Sequence, residues 1–94
     1  MWSDMELKDG DIIVYEVEDE KKWIILAQSW YGPYEGHMHY HALYICDGDL
    51  YIEGTCFLSE LHNLRESNEE ERQILIDKLN SDGYVWDGSK LNKI

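Results

Sequence analysis

One segment near the end of the chain constrains the fold most, because both ends of a helix are written into it. Ser67 and Glu70 have the S-x-x-E spacing of a capping box, in which each side chain accepts from the backbone N–H of the other residue. A run of three glutamates fills the first turn, where the helix dipole favours carboxylates. Gly83 supplies the positive φ that ends a helix, and extended chain follows it. We therefore expect a helix at about 68–81 and a short closing strand at about 84–86.

Upstream of this helix, four runs of apolar residues predict the strands of an antiparallel meander. The runs at 12–17 and 23–28 carry apolar residues at both odd and even positions, which is typical of strands covered on both sides. Strands followed by one helix indicate an α+β fold. We expect a four- to five-stranded, strongly bent antiparallel sheet or a small SH3-like barrel, with one C-terminal helix.

Asp47 and Gly48 form the strongest hairpin signal in the chain, and as a two-residue turn they pair Leu43 with Ile52. One face of the hairpin then holds four aliphatic side chains and belongs to the core: Leu43, Ile45, Leu50 and Ile52. The other face holds Tyr44, Tyr51 and Glu53. A slip by one residue would invert both faces, and the apolar pattern favours the register without the slip.

Length and composition limit the class of protein. Ninety-four residues predict one domain over 1–94. The sequence contains no run of about 18 apolar residues, the length that would indicate a membrane span. The N-terminus lacks the basic and apolar regions of a secretory signal, so a cytoplasmic setting is expected. Cys46 and Cys56 fall on opposite strand faces in the predicted register and are expected to be free thiols.

The charge balance is strongly acidic, with 20 acidic against 8 basic residues and a net charge of −12. Such a surface repels phosphate backbones, which argues against direct nucleic-acid binding. The charge can serve solubility alone, or it can compete with nucleic acid for a basic protein partner. Capping and the helix dipole explain the glutamates of the helix, so the partner-binding candidates are the acidic residues of the first loop: Glu16, Glu18, Asp19 and Glu20.

Three histidines alternate along the predicted third strand, at His37, His39 and His41. Strand geometry places their imidazoles on one face with about 7 Å between neighbours, a spacing that can supply ligands to one zinc ion. The predicted register adds Cys56, which falls opposite His39. The alternatives are histidines that pack half-exposed at the end of the sheet, or a pH-sensing or ligand-contacting role.

Aromatic residues crowd the loop at 29–36, which contains Trp30, Tyr31 and Tyr34. Such rings are enriched where proteins bind other proteins or flat, nucleotide-like ligands, although they can also cover one end of the core.

Ile74 lies on the predicted outer face of the helix, where it is either an ordinary exposed residue or a contact for another chain. No nucleophilic triad or phosphate-binding loop is visible, so we do not expect an enzyme.

The last third of the chain resembles a family of small uncharacterised proteins of gut Bacteroidetes and their phages. The matching residues are Leu64-Arg65, Glu69-Glu70-Glu71, Leu79, Gly83-Tyr84-Val85-Trp86 and Lys90-Leu91. They follow the pattern LRxATEEEkqxLxdxLkxeGYxWxxxxKxL, except that Ser67-Asn68 replaces Ala-Thr and so moves the capping residue by one. The resemblance implies a phage or mobile-element context, a domain of unknown function and a cytoplasmic setting. The family has no assigned enzyme activity, so no functional residue carries over.

Together, these observations predict a non-enzymatic, acidic protein-binding module of phage or mobile-element origin that modulates a host factor. A metal-binding domain built on the histidine strand is the first alternative. A module that binds a nucleotide-like ligand at the aromatic loop is the second.

Overall fold

The structure, a computed structural model, describes residues 8–16, 22–30 (backbone only at 29 and 30), 37–57 and 64–94. Its elements follow in chain order as β1 (Ile12–Tyr15), β2 (Trp23–Trp30), β3 (His37–Ile45), β4 (Leu50–Phe57), β5 (Leu64–Glu66), α1 (Glu69–Ser81), β6 (Tyr84–Trp86) and β7 (Leu91–Lys93). The predicted α+β class and the position of the helix are confirmed.

The five strands β1 to β5 form one antiparallel sheet in the order β4-β3-β2-β1-β5. Among the described residues, β4 and β5 remain the two edges of this sheet, so it is open and does not close into a barrel. The short strand β5 pairs with β1 and was missed by the sequence pattern. The expected closing strand at 84–86 exists, but it pairs with β7 as a separate two-stranded hairpin and not with the main sheet.

Both faces of the sheet carry apolar side chains, as the patterns of the first two strands predict. On the face that α1 covers, here called the helix side, Leu75 and Leu79 pack with Val14, Ile24 and Leu26. On the opposite face, here called the far side, a second cluster contains eight buried residues: Ile13, Tyr15, Ile25, Ala27, Met38, Tyr40, Leu43 and Leu64. The alternating side chains of the central strands therefore belong to two different cores.

The β3–β4 hairpin has the expected turn but not the expected register. The N–H of Ile45 donates to the carbonyl of Asp49 (2.9 Å), so three residues form the loop where two were predicted. Asp47 adopts a left-handed φ of 62° at its centre. Leu43 consequently pairs with Tyr51, and the predicted pairing of Leu43 with Ile52 is wrong by one residue. Because both faces of β3 are buried, the apolar pattern does not distinguish the two registers.

The helix begins one residue later than the predicted capping box. Asn68 is the N-cap: its side chain accepts from the Glu71 N–H (2.8 Å), and the Glu71 carboxylate accepts from the Asn68 N–H (2.9 Å). Ser67 instead donates its hydroxyl to the carbonyl of Ile12 in β1 (2.7 Å). At the other end, Gly83 has the positive φ that was predicted, 92°. No helix in the part of the chain that the structure describes has the length and hydrophobicity needed to cross a bilayer.

Candidate functional site

A buried carboxylate, Glu71, is the centre of the strongest electrostatic cluster in the described residues. Only 2% of Glu71 is exposed. Arg65 binds both of its oxygens (2.6 and 2.8 Å), and Lys22 donates to one of them (2.9 Å). The Arg65 hydrogen bonds are the main reason why the pKa of Glu71 falls to about 2. Donors of the same chain surround this ionised carboxylate, so the geometry gives it a structural role: it fastens the first turn of α1 to the sheet.

One of the predicted acidic contacts, Glu16, belongs to the edge of this cluster. Its carboxylate accepts from Arg65 Nε (3.2 Å) and Nη2 (3.1 Å), and about half of its side chain is exposed. Part of its charge is therefore compensated within the chain. The other acidic candidates of that loop, Glu18, Asp19 and Glu20, lie outside the described residues.

The three histidines of β3 lie on the side of the strand opposite Met38 and Tyr40, and each has a different neighbour. His39 Nδ1 is 2.9 Å from Thr55 Oγ1, and the ring of His37 meets Phe57 edge-on at 5.0 Å. His41 is 7% exposed, and its Nε2 lies 2.6 Å from Asp9 Oδ1 while its ring packs on Trp86 (4.8 Å between centroids).

The predicted fourth ligand, Cys56, lies on the other face. It pairs with Met38 and packs in the far-side cluster, whereas His39 pairs with Thr55, so the expected juxtaposition of Cys56 and His39 is wrong. The one-residue shift of the hairpin register is the cause. Among the described residues, no group of three histidine, cysteine or carboxylate side chains is arranged to hold a metal ion.

The aromatic loop cannot be placed in the site. Tyr31 and Tyr34 lie outside the described residues, and of Trp30 only the backbone is described, where it pairs with Met38 at the end of β2.

Ile74 is on the outer face of α1 as predicted and is 38% exposed. Two exposed carboxylates, Glu70 and Asp77, lie one turn before and after it on the same helix surface.

An apolar pocket of about 290 Å³ opens on the far side, next to the β3–β4 hairpin. Six described residues line this far-side pocket: Trp23, Tyr40, Leu43, Ile45, Tyr51 and Cys56. Burial raises the pKa of the Cys56 thiol to about 11 and also raises the pKa of the Tyr40 hydroxyl, so both groups are neutral near pH 7. The pocket therefore offers an uncharged surface of aromatic, aliphatic and thiol groups.

Sequence reasoning missed both the far-side pocket and the Glu71 cluster. The predicted register put Leu43 and Tyr51 on opposite faces, whereas in the structure they are paired neighbours that line the same pocket. Apolar residues at both odd and even positions of β3 were the available signal, since they leave the register open. For Glu71, the local signal of a first-turn glutamate gave no indication of Lys22, which is 49 residues away in the sequence.

In comparisons with known proteins, no family model, no curated protein and no solved structure matches this chain. This result neither supports nor contradicts the resemblance of the last third of the chain to the phage and Bacteroidetes proteins. What can be inferred of the function therefore comes from the charges and surfaces of the molecule itself.

Proposed function

We propose that this chain is a non-enzymatic binding module that recognises a basic segment of a protein partner. One observation carries the proposal: among the described residues, exposed carboxylates outnumber exposed lysines and arginines, and three further basic side chains are engaged by carboxylates of the same chain. Lys22 and Arg65 bind Glu71, and Lys78 lies 3.5 Å from Asp82.

The exposed carboxylates, by contrast, are spread over the hairpin tip, β4, β5 and α1. They include Asp47, Asp49, Glu53, Glu66, Glu69, Glu70 and Asp77. With a net charge of −12, such a surface attracts a cationic partner over about a Debye length, roughly 8–10 Å, and repels phosphate backbones. Complementary charge of this kind speeds association and selects against acidic partners.

The chemistry of the described ionisable groups agrees with binding more than with catalysis. Glu71, the carboxylate with its pKa near 2, is surrounded by donors of its own chain and is too acidic for proton transfer near pH 7. Cys56, with its pKa near 11, is a protonated thiol and a poor nucleophile. If the chain comes from a phage or mobile element, as its last third suggests, the partner is a host or phage protein whose basic surface it occupies.

The proposal is tested with two short fluorescein-labelled peptides, one of alternating lysine and serine and one of alternating glutamate and serine. Fluorescence anisotropy should show binding of the lysine peptide only. Its affinity should fall at least about tenfold between about 50 and about 300 mM NaCl, because salt screens exposed charges. A comparably acidic, unrelated protein is the control and should bind the lysine peptide more weakly. Equal affinity for both peptides, or binding that salt does not change, would contradict the proposal.

A further inference from the structure

We infer that the far-side pocket binds one large apolar side chain of a cationic protein segment, and that Asp49 at its rim holds a neighbouring lysine or arginine of that segment. The inference rests on the proposed function and names both its partner and its site. It depends on the size of the pocket, its lining and the charge beside it.

The pocket suits a side chain better than a drug-sized molecule. Its volume of about 290 Å³ is at or below the lower limit of typical small-molecule pockets, roughly 300–1,000 Å³. Leu43 is 3% exposed and forms part of the floor, while Tyr51 is 45% exposed and stands at the rim. The ring of Trp23 packs on Tyr15 at 5.5 Å, which holds this wall in place. A phenylalanine or similar ring would lie against the aromatic and aliphatic atoms of this open depression.

The charge beside the pocket defines the rest of the partner. The backbone carbonyl of Asp49 accepts a hydrogen bond from the N–H of Ile45, which lines the pocket. Strand alternation places the side chain of Asp49 on the same face as that of Tyr51. Their side chains are then about 7 Å apart, within the reach of a lysine that is one or two residues from the inserted ring. Asp49 is exposed, so its carboxylate is available to an incoming cation.

This arrangement would place an aromatic anchor in an open, mostly apolar depression with a charged contact at its rim, as in many binding hot spots. The acidic outer face of α1, with Ile74, Glu70 and Asp77, is on the opposite side of the sheet. The partner is therefore expected to bind the far side, and substitutions on the outer face of α1 serve as controls.

The experiment uses two labelled peptides of equal charge, with four lysines around a central phenylalanine or a central alanine. The phenylalanine peptide should bind at least about tenfold more tightly, because only it buries a ring in the pocket. Tyr51→Ala should remove this preference. Phe57→Ala, which truncates another exposed aromatic ring of β4 that does not line the pocket, should keep it.

A second pair of variants tests the rim. Asp49→Lys should lower the affinity for both peptides at least about fivefold. Asp77→Lys, the same charge change on α1, should lower it less than twofold. Equal effects of these two variants would overturn the rim contact. A phenylalanine preference that survives Tyr51→Ala, in a variant with an unchanged circular dichroism spectrum, would overturn the pocket.

Failure of this inference can be separated from failure of the proposed function. If both peptides bind wild type equally and with strong salt dependence, the charge-based function stands and the pocket is wrong. If neither peptide binds, an uncharged probe, N-acetylphenylalanine amide, is titrated while the indole N–H signal of Trp23 is followed by NMR. A shift would keep an apolar site but overturn its cationic partner, and no shift would overturn both.

Discussion

At the scale of single residues, Glu71 shows how one side chain can serve two roles. It is the third residue of the helix, where its carboxylate completes the capping box with Asn68. The same carboxylate accepts hydrogen bonds from Arg65 in β5 and from Lys22, the residue before β2. Because it is almost fully buried, its charge is stabilised by these donors and not by water. The helix start and its attachment to the sheet therefore depend on one ionised group.

We expect Glu71→Gln to lower the free energy of unfolding by about 2–3 kcal/mol at pH 7, because two basic partners lose a buried charge. The folded pKa of about 2 lies below the ordinary value of 4.5, so the charge stabilises the fold fully above about pH 4.5. That stabilisation is lost as the pH falls toward 2. Urea unfolding of wild type and variant should thus show a gap at pH 7 that closes near pH 2.

Glu70→Gln is the matched control, since Glu70 is the exposed neighbour in the same helical turn. It should change stability by no more than about 0.5 kcal/mol at either pH. A similar loss from both variants would show that the helix dipole, and not the Arg65 and Lys22 contacts, explains the effect.

At the scale of elements, β4 changes face partway along its length. The side chain of Ile52 lies on the helix side. Two residues later, a Cβ placed on Gly54 would point toward Tyr40 on the far side. Glu53 between them has a φ of 46°, a left-handed conformation that breaks the regular alternation. Opposite it, His41 has no Cα partner in β2, because the pairing passes from Tyr40 with Ala27 to Ala42 with Leu26. The irregularity brings His41 to Asp9 and Trp86 and leaves Tyr40 in the pocket wall.

We expect Gly54→Ala to lower the free energy of unfolding by about 1–3 kcal/mol. A Cβ at this position would lie 2.6 Å from the Tyr40 hydroxyl oxygen and 2.9 Å from its Cζ, and Tyr40 is only 8% exposed. The ring would have to move within a packed core. Thermal and urea unfolding measure the loss. Thr55→Ala, at the next and exposed position, is the control: it removes only the contact with His39 Nδ1 and should cost no more than about 1 kcal/mol.

A double-mutant cycle identifies the cause of that loss. If the Tyr40 ring is the obstacle, Tyr40→Leu together with Gly54→Ala should cost less than the sum of the two single changes. Strict additivity would mean that the strand backbone at Gly54, and not the ring, is what alanine disturbs.

At the scale of the whole molecule, two layers of apolar packing stabilise the fold against repulsion between exposed carboxylates. The helix side and the far side of the sheet each bury their own cluster of side chains. Against this, the net charge of −12 produces repulsion between exposed carboxylates that folding brings closer. The same repulsion is the origin of the proposed attraction for basic partners.

We expect the melting temperature to rise by a few degrees when NaCl is increased from about 20 to about 300 mM, because salt screens the exposed carboxylates more than the buried Glu71 cluster. Differential scanning fluorimetry measures this rise. Glu66→Lys with Asp77→Lys, which lowers the excess of negative charge at two exposed positions, should reduce it. A melting temperature that falls with added salt would instead mean that internal ion pairs dominate the electrostatic free energy.

The sequence by itself determined the class of fold, a helix at about 68–81 that the structure places at Glu69–Ser81, and the approximate positions of β1 to β4, because these follow from local signals. Gly83 could be recognised as a helix end from its freedom to adopt positive φ. The exposed position of Ile74 followed from helical periodicity. Asp47 and Gly48 located the hairpin within one residue for the same reason: turn chemistry depends on neighbours in the chain.

Only the tertiary structure decided the register of β3 and β4, the pairing of β5 with β1, and the residues that meet in the far-side pocket. A strand that is apolar on both faces satisfies either register locally, so contacts with the rest of the protein make the choice. That choice put Tyr51 beside Leu43 and separated Cys56 from His39. The candidate site depends on which side chains share a face, and in a sheet buried on both sides this is a property of the packed molecule.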